Sequence, residues 1–163
     1  MKKQVFKGTG TAIVTPFIED GTIDFEAFKG LIEYQVKNKV EAIIVCGSTG
    51  ESATLSAKEK MSMFIKAVEL ADGRVPIIAG TGSNDTKATI DLTLIAKEHG
   101  ADAVLLVGPY YNKPTEEGLY HHFRAIAEAV DIPQIIYNVP GRTNNDILPE
   151  TQLRIAEDCE NVV

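Results

Sequence analysis

The chain has 163 residues, 44% apolar and 24% charged, with a formal net charge of −7 and a pI near 5.0. That balance fits a single soluble globular domain over 1–163 with a sizeable core, and its acidity argues against a nucleic-acid backbone as partner. No apolar run reaches the roughly 18 residues that cross a bilayer. The basic start Met1-Lys2-Lys3-Gln4 lacks the apolar stretch of a secretion signal. Two cysteines, Cys46 and Cys159, are too few for a disulfide framework, which points to a reducing, cytoplasmic setting.

The first apolar run covers residues 11–15. Phe25, Phe28, Leu31, Ile32 and Val36 then mark one face of a helix, with Asp24 placed to cap it. A second run, 42–46, leads through Gly47-Ser48-Thr49-Gly50-Glu51-Ser52 to a helix opened by the capping-box pattern Ser56-Ala57-Lys58-Glu59. A third run, 75–79, is followed by Gly80-Thr81-Gly82 and by a helix that follows Asn84 and stops at Gly100. A fourth run, 103–107, enters the loop Gly108-Pro109-Tyr110-Tyr111-Asn112-Lys113-Pro114. The helix after Thr115 carries Glu116 and Glu117 in its first turn, where the helix dipole favours them. A fifth run, 135–137, precedes Asn138-Val139-Pro140-Gly141-Arg142-Thr143 and a helix with Pro149 at its first position. A sixth begins at Val162-Val163.

The runs are nearly continuous rather than alternating, as parallel strands covered on both faces are. Strand starts recur about every 30 residues, the size of a βαβ unit. Two architectures fit. A doubly wound sheet of five strands is complete at this length, whereas a (β/α)8 barrel of about 250 residues is not. Length alone favours the former, and periodicity does not choose.

Both architectures bind ligands at the C-terminal ends of the strands, so the residues after each run matter most. In 47–52 two hydroxyls stand between glycines ahead of a helix, where backbone N–H groups can receive an anion; taken alone, a plain turn accounts for it equally. Gly80-Thr81-Gly82 lacks the third glycine of a dinucleotide fingerprint and reads as a turn. Tyr110 and Tyr111 between prolines can pack or can present a phenol for proton transfer. Tyr137 ends its strand, and Arg142 in a glycine-containing loop suits bidentate recognition of a carboxylate, although taken alone a surface arginine is the plainer reading. His121 and His122 are neighbours on one helix, face different ways and read as solvated surface, not as a metal pair. No spacing of His, Cys and carboxylates implies a metal.

Together, Gly47-Ser48-Thr49-Gly50-Glu51, Pro109-Tyr110-Tyr111-Asn112 and Tyr137-Asn138-Val139-Pro140-Gly141-Arg142-Thr143 resemble the dihydrodipicolinate synthase family. Gly10-Thr11-Ala12-Ile13-Val14-Thr15-Pro16-Phe17 and Gly118-Leu119-Tyr120-His121-His122-Phe123 agree. The resemblance runs the whole chain and turns the fold expectation to a partial (β/α)8 TIM barrel, about the first five and a half β/α units. It implies a lyase that joins pyruvate to aspartate semialdehyde through a lysine Schiff base, with no metal or organic cofactor, in a homo-oligomer, a dimer or tetramer. It implies that Ser48 stands where the family's relay threonine stands. Thr49 binds the pyruvate carboxylate, and Tyr137 moves protons beside the Schiff base. Tyr111 reaches a neighbouring subunit's site, and Arg142 holds the semialdehyde carboxylate. Serine at position 48 is also common in sialic-acid lyases, which keeps another pyruvate-dependent aldolase open.

The family's sixth strand ends in the Schiff-base lysine, and the sequence stops at Val163, a few residues short of it. The expectation is therefore a working parent enzyme and an inactive 163-residue piece, or else a non-catalytic half-barrel that only binds or assembles. At the family's lysine-inhibition site, Ser52, Asn84 and Tyr110 are retained. Lys60 and Ala88 stand where a histidine-like group and a glutamate are usual, so feedback inhibition is expected to be weak or absent.

Overall fold

Five of the apolar runs become strands in the computed structural model, which describes residues 4–163. They are β1 (Gly10–Ala12), β2 (Ala42–Val45), β3 (Ile77–Gly80), β4 (Ala103–Val107) and β5 (Gln134–Tyr137). The basic residues at positions 1–3 lie outside the described residues. Between and after the strands run α1 (Phe25–Lys37), α2 (Ala57–Ala71), α3 (Thr86–Glu98), α4 (Glu116–Ala129), α5 (Pro140–Thr143) and α6 (Pro149–Asp158). The first strand ends earlier than its apolar run, although Ile13 N–H still donates to Ile44 O at 3.1 Å. The third starts later, because Pro76 has no N–H to give a ladder.

Every pairing is parallel, and the strand order is β1-β2-β3-β4-β5. This order decides between the two architectures. A doubly wound sheet reverses its strand order at a switch point, whereas a barrel lays each strand beside the last. The described residues form half of a barrel. The sixth run meets β5 in a parallel bridge between Gln134 and Val162, and Val163 N–H donates to Gln134 O at 2.9 Å.

Side chains alternate along a strand, which divides the sheet into two faces. Ile43, Val45, Ile77, Ala79, Val104 and Leu106 enter the main core with Phe28 of α1, Phe64 of α2 and Phe123 of α4. Each of these phenylalanines is fully buried, and such burial stabilises by about 2–3 kcal/mol per side chain. Ala42, Ile44, Ile78 and Ala103 take the opposite face, the inside of the barrel, where Val5, Phe6, Leu105 and Ile135 meet them. The helices α1, α2, α3, α4 and α6 therefore pack on one side.

Capping follows the local sequence. Asp24 Oδ1 accepts from the N–H groups of Glu26 and Ala27 at 3.0 and 2.9 Å. The Ser56–Glu59 capping box closes both ways, and Thr115 Oγ1 accepts from Gly118 N–H at 3.2 Å. The cap of α3 is Asp85, one residue past Asn84.

His122 corrects an expectation. It is not solvated surface but 7% exposed, while His121 remains outside in contact with Glu117. Leu119, Phe123 and Ile126 form the buried stripe of α4, and position 122 lies on its flank, toward α3. There Nδ1 lies 2.8 Å from Thr86 Oγ1, and Nε2 has no partner among the described residues. Burial pushes the imidazole down to about 4, against a weaker pull upward from Asp85. The unfolded imidazole takes up its proton near 6.5, so acid favours the unfolded chain. Stability from this group is complete above about pH 6.5 and is lost as pH falls toward 4, by up to about 3 kcal/mol. A His122→Phe variant should flatten the pH dependence of the urea midpoint in that window; an unchanged slope would mean that other groups set it.

Candidate active site

The C-terminal strand ends open onto a pocket of about 350 Å³. Its floor depends on close backbone approach. A Cβ at Gly80 would overlap the carbonyl of Cys46, and a Cβ at Gly82 would overlap the N–H of Val107. The segment 80–82, read from the sequence as a plain turn, is thus what lets the ends of β2, β3 and β4 converge. The sequence signal was present, two glycines beside a strand end, but close approach has no one-dimensional signature.

At the end of β2, Cys46 is buried with φ +53° and turns the chain into the Gly47–Glu51 segment. Burial pushes its thiol up to about 12, so it stays protonated and is no nucleophile. Within the turn, Gly50 N–H and Ser52 N–H donate to Gly47 O, and Glu51 N–H donates to Ser48 O. Those N–H groups are not available to an anion. The N–H and hydroxyl groups of Ser48 and Thr49 engage no described residue. Thr15, three residues past the end of β1, braces the turn, its Oγ1 donating to Gly50 O at 2.7 Å.

Ser48, Tyr137 and Arg142 all line the pocket, with Tyr110, Glu51 and Thr143 beside them. Thr49 is exposed and is not among the residues that line the pocket. Tyr111 does not line it either. It is 88% exposed at φ +70°. Its loop is fastened to α3 by an amide pair: Asn84 Nδ2 donates to Asn112 Oδ1 at 3.2 Å, and Asn112 Nδ2 to Asn84 O at 2.8 Å.

Arg142 sits not in an open loop but in α5, a single turn started by Pro140. Asn138 closes the excursion at its base, donating to Asp146 Oδ1 at 2.7 Å and accepting from Ile147 N–H at 3.2 Å. The other arginines are engaged: Arg74 with Glu33, Arg124 with Glu128, Arg154 with Glu117. The guanidinium of Arg142 has no partner among the described residues. An unpaired guanidinium on a pocket wall is a ready receptor for a carboxylate. Among the described residues no cluster of three or more His, Cys, Asp or Glu could hold a metal, and no helix is long and apolar enough to cross a membrane.

A half-barrel whose strand ends gather hydroxyls, a phenol and a free guanidinium has the form of a β/α-barrel catalytic mouth. Comparison with known proteins makes this particular. The family model described as dihydrodipicolinate synthetase matches residues 5–163, and the chain belongs to that family. It is 56% identical over 153 residues to the 4-hydroxy-tetrahydrodipicolinate synthase of Nitrosomonas eutropha, covering 94% of this chain and 52% of that protein. The crystal structure of dihydrodipicolinate synthase from Aquifex aeolicus superposes with a TM-score of 0.95 at 51% identity, over 97% of this chain and 54% of that one. The chloride-inhibited synthase of Acinetobacter baumannii, solved with pyruvate, gives 0.94 at 49% identity, over 96% and 53%. The chain spans about half the length of these relatives.

Gly80→Ala should destabilise the protein by about 2–3 kcal/mol, since backbone must move to admit the methyl group. Gly30→Ala is the control. Gly30 lies inside α1 with nothing within 4 Å of the added methyl, and there alanine should stabilise by about 0.5–1 kcal/mol. Equal urea midpoints for the two variants would contradict the close approach.

Proposed function

We propose that the protein carrying this chain is a pyruvate-dependent lyase that joins pyruvate to aspartate semialdehyde, giving 4-hydroxy-tetrahydrodipicolinate in lysine biosynthesis. The observation that carries the reading is the meeting of Ser48, Tyr137 and the unpaired Arg142 on one pocket. Family membership and the pyruvate-bound relative support it. Among the described residues no lysine lines the pocket. On this reading the Schiff-base lysine follows Val163 on the sixth strand.

The chemistry assigns roles by functional group. The lysine amine adds to the ketone of pyruvate and water leaves, after which loss of a methyl proton gives an enamine that attacks the aldehyde carbon. Tyr137, a phenol at the strand end, passes protons to and from these intermediates, and the Ser48 hydroxyl relays them. The free N–H groups of Ser48 and Thr49 suit the pyruvate carboxylate. Arg142 holds the carboxylate of the second substrate. Tyr111 completes the relay in a neighbouring subunit, which accounts for an exposed phenol on a braced loop. The working form is then a homo-oligomer. Serine at position 48 favours one competitor, a pyruvate-dependent aldolase with another aldehyde, such as a sialic-acid lyase; turnover with each aldehyde separates them.

Borohydride reduction of the intact protein with pyruvate should leave a covalent adduct seen by mass spectrometry, and the 163-residue chain alone should give none. Absence of an adduct on the intact protein would overturn the reading in favour of a barrel that only binds or assembles. Arg142→Ala should raise KM for aspartate semialdehyde roughly 10- to 100-fold, the range of a charge-assisted hydrogen bond, with the pyruvate adduct intact. Lys60 and Ala88 leave no carboxylate for a lysine ammonium, so lysine should inhibit weakly or not at all; inhibition below millimolar would refute this.

A further inference from the structure

Apart from Ser48 and Thr49 after β2 and Tyr137 at the end of β5, the pocket and the proposed reaction draw on two segments: 108–114, with Tyr110 and Tyr111, and 138–147, with Arg142. We infer that Asn145 is a positioning residue that fixes these two segments to each other, so that the phenols and the guanidinium are held in one register. The inference rests on the proposed reaction for its functional consequence and on geometry alone for the coupling.

Asn145 Nδ2 donates to the carbonyl of Pro109 and lies 3.5 Å from the carbonyl of Thr143. Among the described residues this amide is the only hydrogen-bonded link between 109–114 and 138–147. The amide is itself held. Thr143, 2% exposed, donates through Oγ1 to Asn145 O at 2.9 Å, and Asn145 N–H reaches Thr143 Oγ1 at 3.4 Å. Gly108 leaves it room, since a Cβ there would stand 3.2 Å from Asn145 Oδ1.

Chemistry fixes which way the amide points. Turned over, its oxygen would face the Pro109 carbonyl, acceptor against acceptor. In the observed orientation Oδ1 is buried with no donor. A residue present only to fill space would be apolar here. The unsatisfied oxygen is tolerated because the donor half of the amide is needed at Pro109. Thr143 is the next residue to Arg142, and Pro109 the one before Tyr110, so the link acts one residue away from each pocket-lining side chain.

The test uses the intact protein. In Asn145→Ala, hydrogen–deuterium exchange should rise in both 108–114 and 139–146, KM for aspartate semialdehyde should rise about tenfold, the size of one hydrogen bond, and pyruvate KM should stay within about twofold. Asn145→Asp keeps the shape but presents an acceptor to the Pro109 carbonyl when ionised. Its KM defect should match or exceed that of the alanine variant at pH 8. Burial against the Pro109 carbonyl raises the pKa of that carboxyl, so its defect should shrink as pH falls and the protonated form regains an O–H donor, while the alanine defect stays constant. Faster exchange confined to 139–146, an unchanged KM, or equal rises in both KM values would overturn the inference. If the unmodified protein forms no pyruvate adduct, the proposed reaction fails, and the exchange data still decide whether Asn145 couples the segments.

Discussion

Parallel neighbours in one sheet must be joined by a crossover, and here every crossover lays its strand beside the one before. All five strands therefore run the same way, the helices α1, α2, α3, α4 and α6 fall on one face, and every strand leads into its loop at the same end. The site is a consequence of this constraint. Ser48 follows β2, Tyr110 follows β4, and Tyr137 and Arg142 lie at and just after the end of β5, yet they share a pocket because all the strands end on the same side and β4 is in register with β5. The register of β4 with β5 sets Val107 against Tyr137 and so places the phenol at the mouth.

The constraint makes a second demand. Strand ends that converge on a small-molecule pocket must come closer than side chains allow, and Gly80 and Gly82 meet that demand. Alanine at either position would push the strands apart below the reacting groups. Rigidity of the floor and precision of the site are therefore one property, and the same side-chain-free backbone that widens the pocket also keeps β2, β3 and β4 in contact.

What was legible in the sequence was mostly local. Asp24, Ser56 with Glu59, and Thr115 act within one helical turn, so their spacing sufficed. Strand order is not local: the periodicity is the same for a doubly wound sheet and for a barrel, and only the pairing pattern separates them. The loop motifs supplied that decision early because they reflect the whole mouth. His122 was misread although Leu119, Phe123 and Ile126 marked the face beside it; its burial depends on α3 leaning against α4. The one-turn α5 was missed because four residues carry no period. Asn138 and Asn145 could not be found from spacing, since each works through a backbone carbonyl or N–H brought near by folding.

The distribution of charge separates scaffold from site. Glu33–Arg74, Arg124–Glu128 and Glu117–Arg154 are exposed pairs on the helical side, each worth little; the second joins neighbouring turns of α4, and the third joins α4 to α6. Arg154 also lies 3.5 Å over the Tyr120 ring, which helps dock α6 on α4. At the mouth the economy is reversed. Glu51 stands on the pocket wall with Arg142, yet no ion pair joins them. A guanidinium already neutralised by a protein carboxylate would have to break that pair before taking a substrate's. Leaving Arg142 unpaired, while bracing its backbone through Asn138, Thr143 and Asn145, keeps its donors aimed and available. On the proposed reading, binding of a substrate carboxylate forfeits no existing ion pair, and the ordering has already been done by the fold.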